Sequence, residues 1–210
     1  MIIKMDPKLK NILEWAYCII IAVGLALLVR YYLGTPTIVQ QTSMVSTLQP
    51  GERLILSRIT RTTKGEYQRG DIITFEAPSS IKNLDYDNPV AIYEYEPKGW
   101  FSKFVYKVLE IGKTSYIKRI IGMPGDHILI QDGKVFLNGE ELEEPYLAEG
   151  VKTYSNDYTD ITVPEGYVFA MGDNREYSKD CRSLGCIPID KIESKVWIRS
   201  WPLTKFGKVE

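Results

Sequence analysis

His-Ile-Leu-Ile-Gln-Asp-Gly-Lys-Val-Phe-Leu, residues 127–137, sets two short runs rich in β-branched and aromatic residues on either side of Asp132-Gly133. That dipeptide suits the positive-φ positions of a tight hairpin turn, so the stretch reads as two antiparallel strands, His127–Gln131 and Lys134–Leu137. Asn138-Gly139 follows with a second turn signal of the same kind. The pattern repeats outward from this hairpin. Arg53–Ser57, Asp71–Phe75, Tyr116–Gly122, Tyr167–Met171 and Lys195–Arg199 are runs of similar character, punctuated by Pro124-Gly125 and Pro164-Glu165-Gly166. Only Gly99–Glu110 reads as a short helix. Residues 34–210 are therefore expected to form a mostly β domain of antiparallel sheet. The Tyr-rich, acidic segment 76–115 reads as an extension of that sheet and not as a separate domain.

The N-terminal end differs in kind. Trp15 to Val29 is 15 consecutive residues without a charge. Spanning the hydrocarbon takes about 20 residues at roughly 1.5 Å each. Arg30 can carry its guanidinium to the interface on its apolar stem, and Tyr31, Tyr32 and Leu33 lengthen the stretch. Trp15 and Tyr17 at one end and Tyr31 and Tyr32 at the other match the aromatic belts of a spanning helix, which Gly34 and Pro36 stop. The tract is apolar all round, unlike a buried soluble helix, and no small-x-small cleavage site follows it. It reads as a single uncleaved transmembrane signal-anchor helix at 13–33. Lys4, Lys8 and Lys10 precede it, against Arg30 alone before Arg53. The positive-inside rule then keeps residues 1–12 in the cytoplasm and sends 34–210 outside, in a single-pass protein of the cell membrane with the lipid bilayer as a partner.

Composition narrows the chemistry. The formal net charge is -1, with 25% charged residues and no dominant basic stretch, which argues against a nucleic-acid partner. One histidine, His127, and three cysteines are too few for a typical zinc site, so no metal and no cofactor is expected. A Ser-His-Asp triad could draw only on His127.

Four blocks of sequence carry the functional signal. The first is Ser43-Met44-Val45-Ser46-Thr47-Leu48, with Gly51-Glu52-Arg53-Leu54 after it. The second is Arg69-Gly70-Asp71-Ile72-Ile73-Thr74-Phe75, and the third runs from Tyr116-Ile117-Lys118-Arg119 through Gly125-Asp126. The fourth is Gly172-Asp173-Asn174-Arg175 with Ser178, Asp180, Arg182 and Gly185. In this order, across residues 43–185, they resemble the blocks of type I signal peptidases, the leader peptidase family of Ser-Lys serine proteases. Any one block is weak; four in sequence are strong.

The resemblance implies that Ser43 is the nucleophile and Lys118 its general base. A serine hydroxyl attacks poorly unless a base removes its proton, and a lysine serves only when neutral, which desolvation can bring about. Alternation in a strand puts Lys118 on one face with Tyr116 and Ile120, and Arg119 on the other. Spacing alone would favour an exposed edge-strand lysine; the resemblance reverses that. It further implies that Ser178 orients the amine, and that Asp173, Arg175, Asp180 and Arg182 form a supporting charge network. The Ser43 N–H would be one oxyanion donor, with Gln41 standing where many members place a second donor on Ser or Gly. Met44, Ile72 and Ile117 are candidate substrate-binding residues. The chain departs from the family pattern at Gln41 and Thr42, at Ser46 (usually Pro) and at Cys181 (usually Ser). The pair Cys181 and Cys186 is open between a disulfide and two free thiols, Cys18 reads as an apolar filler, and His127 receives no catalytic role.

The implied function is a membrane-bound serine endopeptidase that removes signal peptides from secretory preproteins, cleaving after small residues. Two alternatives stand beside it. Self-cleaving repressors use a similar pair but carry a DNA-binding domain where this chain has its apolar segment. A catalytically silent, membrane-tethered β domain would serve assembly instead.

Overall fold

A computed structural model describes residues 6–79, 85, 87–94 and 97–209. Lys4 and part of the 76–115 extension lie outside the described residues. The apolar segment is one helix, α1, Pro7–Tyr32, which begins upstream of residue 13 because Asp6 caps it, accepting from the Lys8 N–H at 2.9 Å, with Pro7 at the first helical position. Along most of its length the apolar side chains stand open: Ile12, Trp15, Tyr17 and Ile20 are all more than half exposed.

The rest is mostly antiparallel sheet, with strands β1 (Gly34–Ile38), β2 (Arg53–Ser57), β3 (Ile72–Glu76), β4 (Ser115–Gly122), β5 (His127–Gln131), β6 (Lys134–Leu137), β7 (Glu140–Glu141), β8 (Asp160–Thr162), β9 (Tyr167–Met171), β10 (Ile187–Pro188) and β11 (Ile192–Trp201). Short helices α2 (Ile59–Thr63), α3 (Trp100–Phe104) and α4 (Cys181–Leu184) lie between them. Among the described residues one sheet runs β1-β2-β11-β3-β4-β9-β10, and a second runs β7-β6-β5-β8. The hairpin around Asp132-Gly133 pairs Gln131 with Lys134, with Asp132 at φ 54° and Gly133 at φ 81°, the backbone the turn reading required. The short helix expected over Gly99–Glu110 is α3 continued by a π-helical turn, Val105–Leu109, and stopped by Glu110 at φ 58°. Strands β1, β7, β8 and β10 have no counterpart among the expected strands: β7, β8 and β10 are too short to show a period. In β1 the glycine and proline signal a break. Pro36 is tolerated there because β1 is an edge strand. A side chain on Gly34 would overlap the Leu56 carbonyl of β2.

The main core lies between the sheets, joining Ile73, Phe75, Ile120 and Phe169 of the larger to Ile128, Val135 and Ile161 of the smaller. A second core of Val39, Met44, Leu48, Leu54, Leu56, Ile72 and Val196 fills the space beneath the β1–β2 loop. Both faces of β4 are therefore covered, which decides what becomes of its charged residues.

Candidate active site

The loop from Val39 to Gly51 carries Ser43. Its base is closed by hydrogen bonds from the Val39 N–H to Glu52 O (2.9 Å) and from the Gly51 N–H to Val39 O (2.8 Å). Met44 and Leu48, neither with measurable exposure, anchor it from below. From the other side Asn174 clamps it, donating its backbone N–H to Ser43 O and its side-chain amide to Thr42 O, each at 3.0 Å. The backbone at Ser43 is thus held from two directions.

Lys118 enters from β4. It is 1% exposed, and its Nζ donates to Ser43 Oγ at 2.7 Å and to Ile117 O at 2.9 Å. The amine sits 5.3 Å from the centroid of the Tyr116 ring. Burial lowers its pKa from the usual 10.5 to about 8, against the opposing pull of Asp180, Cys181 and Asp173 and with some help from Arg182. A neutral amine donating to, and able to accept from, a serine hydroxyl is the arrangement that nucleophilic activation needs.

Arg119 points the other way, as strand alternation demands, but it too is buried. It pairs with Asp173 at 2.8 and 3.0 Å and donates to Gly70 O at 3.1 Å, while Thr47 donates to the same carboxylate at 2.5 Å. Asp173 thereby ties the Ser43 loop to β4. Arg175 forks onto Glu144, with one contact at 2.8 Å, and also reaches Thr153. Asp180, fully buried, accepts from the Gly172 N–H and from Arg182, each at 2.9 Å. Burial alone would raise its carboxyl; Arg182 and the Gly172 N–H more than offset this and hold it below the ordinary range. Arg182 in turn donates to Arg175 O at 2.7 Å.

The model for the family described as signal peptidase, peptidase S26, matches residues 12–201. This chain belongs to that family. It is 34% identical to signal peptidase I of Bacillus licheniformis over 99% of this chain and 98% of the relative. It is 33% identical to signal peptidase I S of Bacillus subtilis, covering 96% and 95%, and 30% identical to signal peptidase IB of Staphylococcus aureus, covering 94% and 93%. Among solved structures it is similar to a signal peptidase I from Enterococcus faecalis, at 26% identity and a TM-score of 0.40, over 62% of this chain and 96% of that one. Signal peptidases remove signal peptides from preproteins, and a buried serine–lysine pair is consistent with their chemistry.

The remaining residues singled out from the signal peptidase resemblance fall as follows. Ser178 Oγ is buried and leans toward the Asp180 carboxylate, whose ionised form it favours, without completing a bond of good geometry; it makes none to Lys118. Among the described residues, no hydrogen-bond acceptor engages the Ser43 N–H, while Gln41 and Thr42 are exposed at the rim of an open groove of about 370 Å³ that holds Ser43, Lys118 and Tyr116. A second cavity of about 260 Å³ shares Gln41 and Tyr116 with it and is walled by Ile117, Thr74 and Ser194. Of the three candidate substrate contacts, Ile117 lines this second cavity. Met44 and Ile72 are sealed in the second core, since loop and strand need them there to pack. His127 pairs with Asp160 at 2.6 Å across β5 and β8, in the smaller sheet. Cys181 and Cys186 are free, buried thiols; burial pushes Cys186 up to about 12, and Cys181 is also raised.

Sequence reasoning missed Arg119, Thr47, Glu144 and Asn174. The first had a usable signal: an arginine in mid-strand beside a buried lysine requires an acid if both faces of that strand are covered.

Proposed function

We propose that Ser43 attacks the scissile carbonyl of a preprotein while Lys118 takes its proton, and that Lys118 then returns the proton to the leaving amine. Water hydrolyses the acyl-enzyme by the same route in reverse. The observation that carries this reading is the 2.7 Å contact between two buried side chains, one an amine brought to about pKa 8. At pH 7 roughly a tenth of such an amine is neutral, several hundred times the fraction of an ordinary lysine. The Ser43 N–H, which has no acceptor among the described residues, would serve as oxyanion donor, with the Gln41 amide at the groove rim as the candidate second. Asp173, Arg175, Asp180 and Arg182 hold the loop and strand in register, and Ser178 acts on the amine through Asp180. Ile117 and Tyr116 wall the cavities that would receive small side chains on the signal-peptide side of the cut.

The apolar α1 helix is read as an anchor crossing the bilayer once, with the lysine-rich N-terminus in the cytoplasm and the β domain outside. The test is cleavage of a preprotein by the full chain in lipid vesicles, with Ser43→Ala and Lys118→Met beside the parent. Both variants should fold and cleave at background rates, with the cut falling after a small residue in the parent. Retained cleavage by Ser43→Ala would overturn the assignment. Protease protection of the β domain in sealed vesicles checks the orientation.

A further inference from the structure

The aromatic residues of α3 face outward. Trp100 is 80% exposed and Phe101 63%, with Phe104 one turn further and Ile111 beyond the π-helical turn. The Trp100 and Phe101 rings meet edge to face at 5.8 Å, while on the inner side Tyr106 donates to Glu76 at 2.8 Å. Single exposed aromatics are ordinary; a contiguous cluster marks a surface that something covers.

The position of the cluster says what. The same helical segment ends at Leu109 and Glu110, and Arg30 of α1 donates to both, at 3.4 and 3.0 Å. Arg30 is the last charge of the apolar helix, beside Tyr31 and Tyr32. At about 1.5 Å per residue, Trp100 lies within about 15 Å of that contact. Two cations stand at the edge of this segment. Arg61 is 5.3 Å from the Tyr31 ring centroid and Lys103 is exposed on α3; both line one cavity with Tyr31, Tyr106 and the acidic Glu76 and Asp190, and neither makes an ion pair among the described residues.

We propose that α3 and Ile111 rest in the outer headgroup layer of the bilayer that α1 crosses, with Arg61 and Lys103 facing anionic lipid phosphates. Aromatic side chains favour that layer, and basic ones beside it are drawn to anionic lipid. Continuity with the anchor's exit and the charge of the rim favour lipid over a second copy or a protein partner. This second foot would limit the tilt of the β domain about the joint at Leu33 and Gly34, and so hold the Ser43 groove at a fixed attitude to the membrane. The proposal rests on α1 being an anchor.

The test uses the full chain in nanodiscs containing phosphatidylglycerol, with acyl chains either plain or brominated, and compares quenching of tryptophan emission in the parent, Trp100→Phe and Trp15→Phe. The parent should lose emission to bromolipid that Trp100→Phe no longer loses, and Arg61→Gln with Lys103→Gln should weaken that component. If bromolipid quenches the Trp15 component but leaves Trp100 untouched, the foot is refuted and the anchor stands. If neither is quenched, both fall. Protection of Trp100 that depends on protein concentration and not on bromolipid would assign the face to a second copy and overturn the proposal.

Discussion

Replacing Lys118 by methionine should abolish activity and, at neutral pH, shift stability in the opposite direction from most core substitutions. The amine is almost fully buried and its pKa is lowered from 10.5 to about 8. A folded-state pKa below the unfolded one means that the native state resists the charge. Between pH 8 and 10.5 the unfolded chain holds a proton the native protein has released, so stability rises with pH across that window. Roughly 2.5 units at about 1.4 kcal/mol each gives a penalty of about 3 kcal/mol, fully present below pH 8 and gone above 10.5. Methionine carries no such penalty. It leaves Ser43 Oγ and Ile117 O without their donor, a constant loss of roughly 1 kcal/mol each. The stability of Lys118→Met minus that of the parent should therefore be slightly positive at pH 7 and fall by about 3 kcal/mol by pH 10.5, changing sign on the way. Urea unfolding of the full chain in detergent, followed by tryptophan fluorescence in both proteins, reads this difference, and titrations common to both cancel. A flat difference across pH 7 to 10.5 would mean the amine titrates as an ordinary lysine, and the general-base assignment would go with it.

Other outcomes follow from the same geometry. The kcat/KM for a peptide substrate should climb about tenfold per pH unit below about 8 and level off above it, as the base form of Lys118 fills; initial rates from pH 6 to 9.5 check this. Gly172→Ala would drive a methyl into the Ser43 carbonyl and the Ser178 hydroxyl, and displacing the Ser43 loop by even about 1 Å should lower kcat on the order of 100-fold with circular dichroism unchanged. Arg119→Met strands the buried Asp173 carboxylate and should destabilise the domain by roughly 3–5 kcal/mol, seen as a lower urea midpoint. His127→Ala should leave kcat/KM at the parent value, because its partner is Asp160 in the smaller sheet; a large loss would revive a histidine mechanism.

Much of the fold was legible where the physics is local. Asp132-Gly133 specifies its turn through backbone conformation, and the strands beside it follow with their register. The apolar length of α1 needs no partner to be recognised. The Ser43 and Lys118 assignments came from motif order and not from spacing, because a strand lysine is usually a solvated one. Strands β7, β8 and β10, of two or three residues, exist only because longer neighbours offer them an edge.

What the sequence determined alone was therefore the helix, the long strands, the tight turns and the identity of the paired residues at the centre. What tertiary structure decided was who meets whom. Arg119 finds Asp173 across 54 positions, Arg175 finds Glu144, and Met44 and Ile72 turn from candidate contacts into sealed packing. The physical reason is that burial and desolvation belong to a site and not to a residue. The amine at position 118 becomes a weak base with an accessible neutral form only when β4 is covered on both faces and the Ser43 loop closes over it.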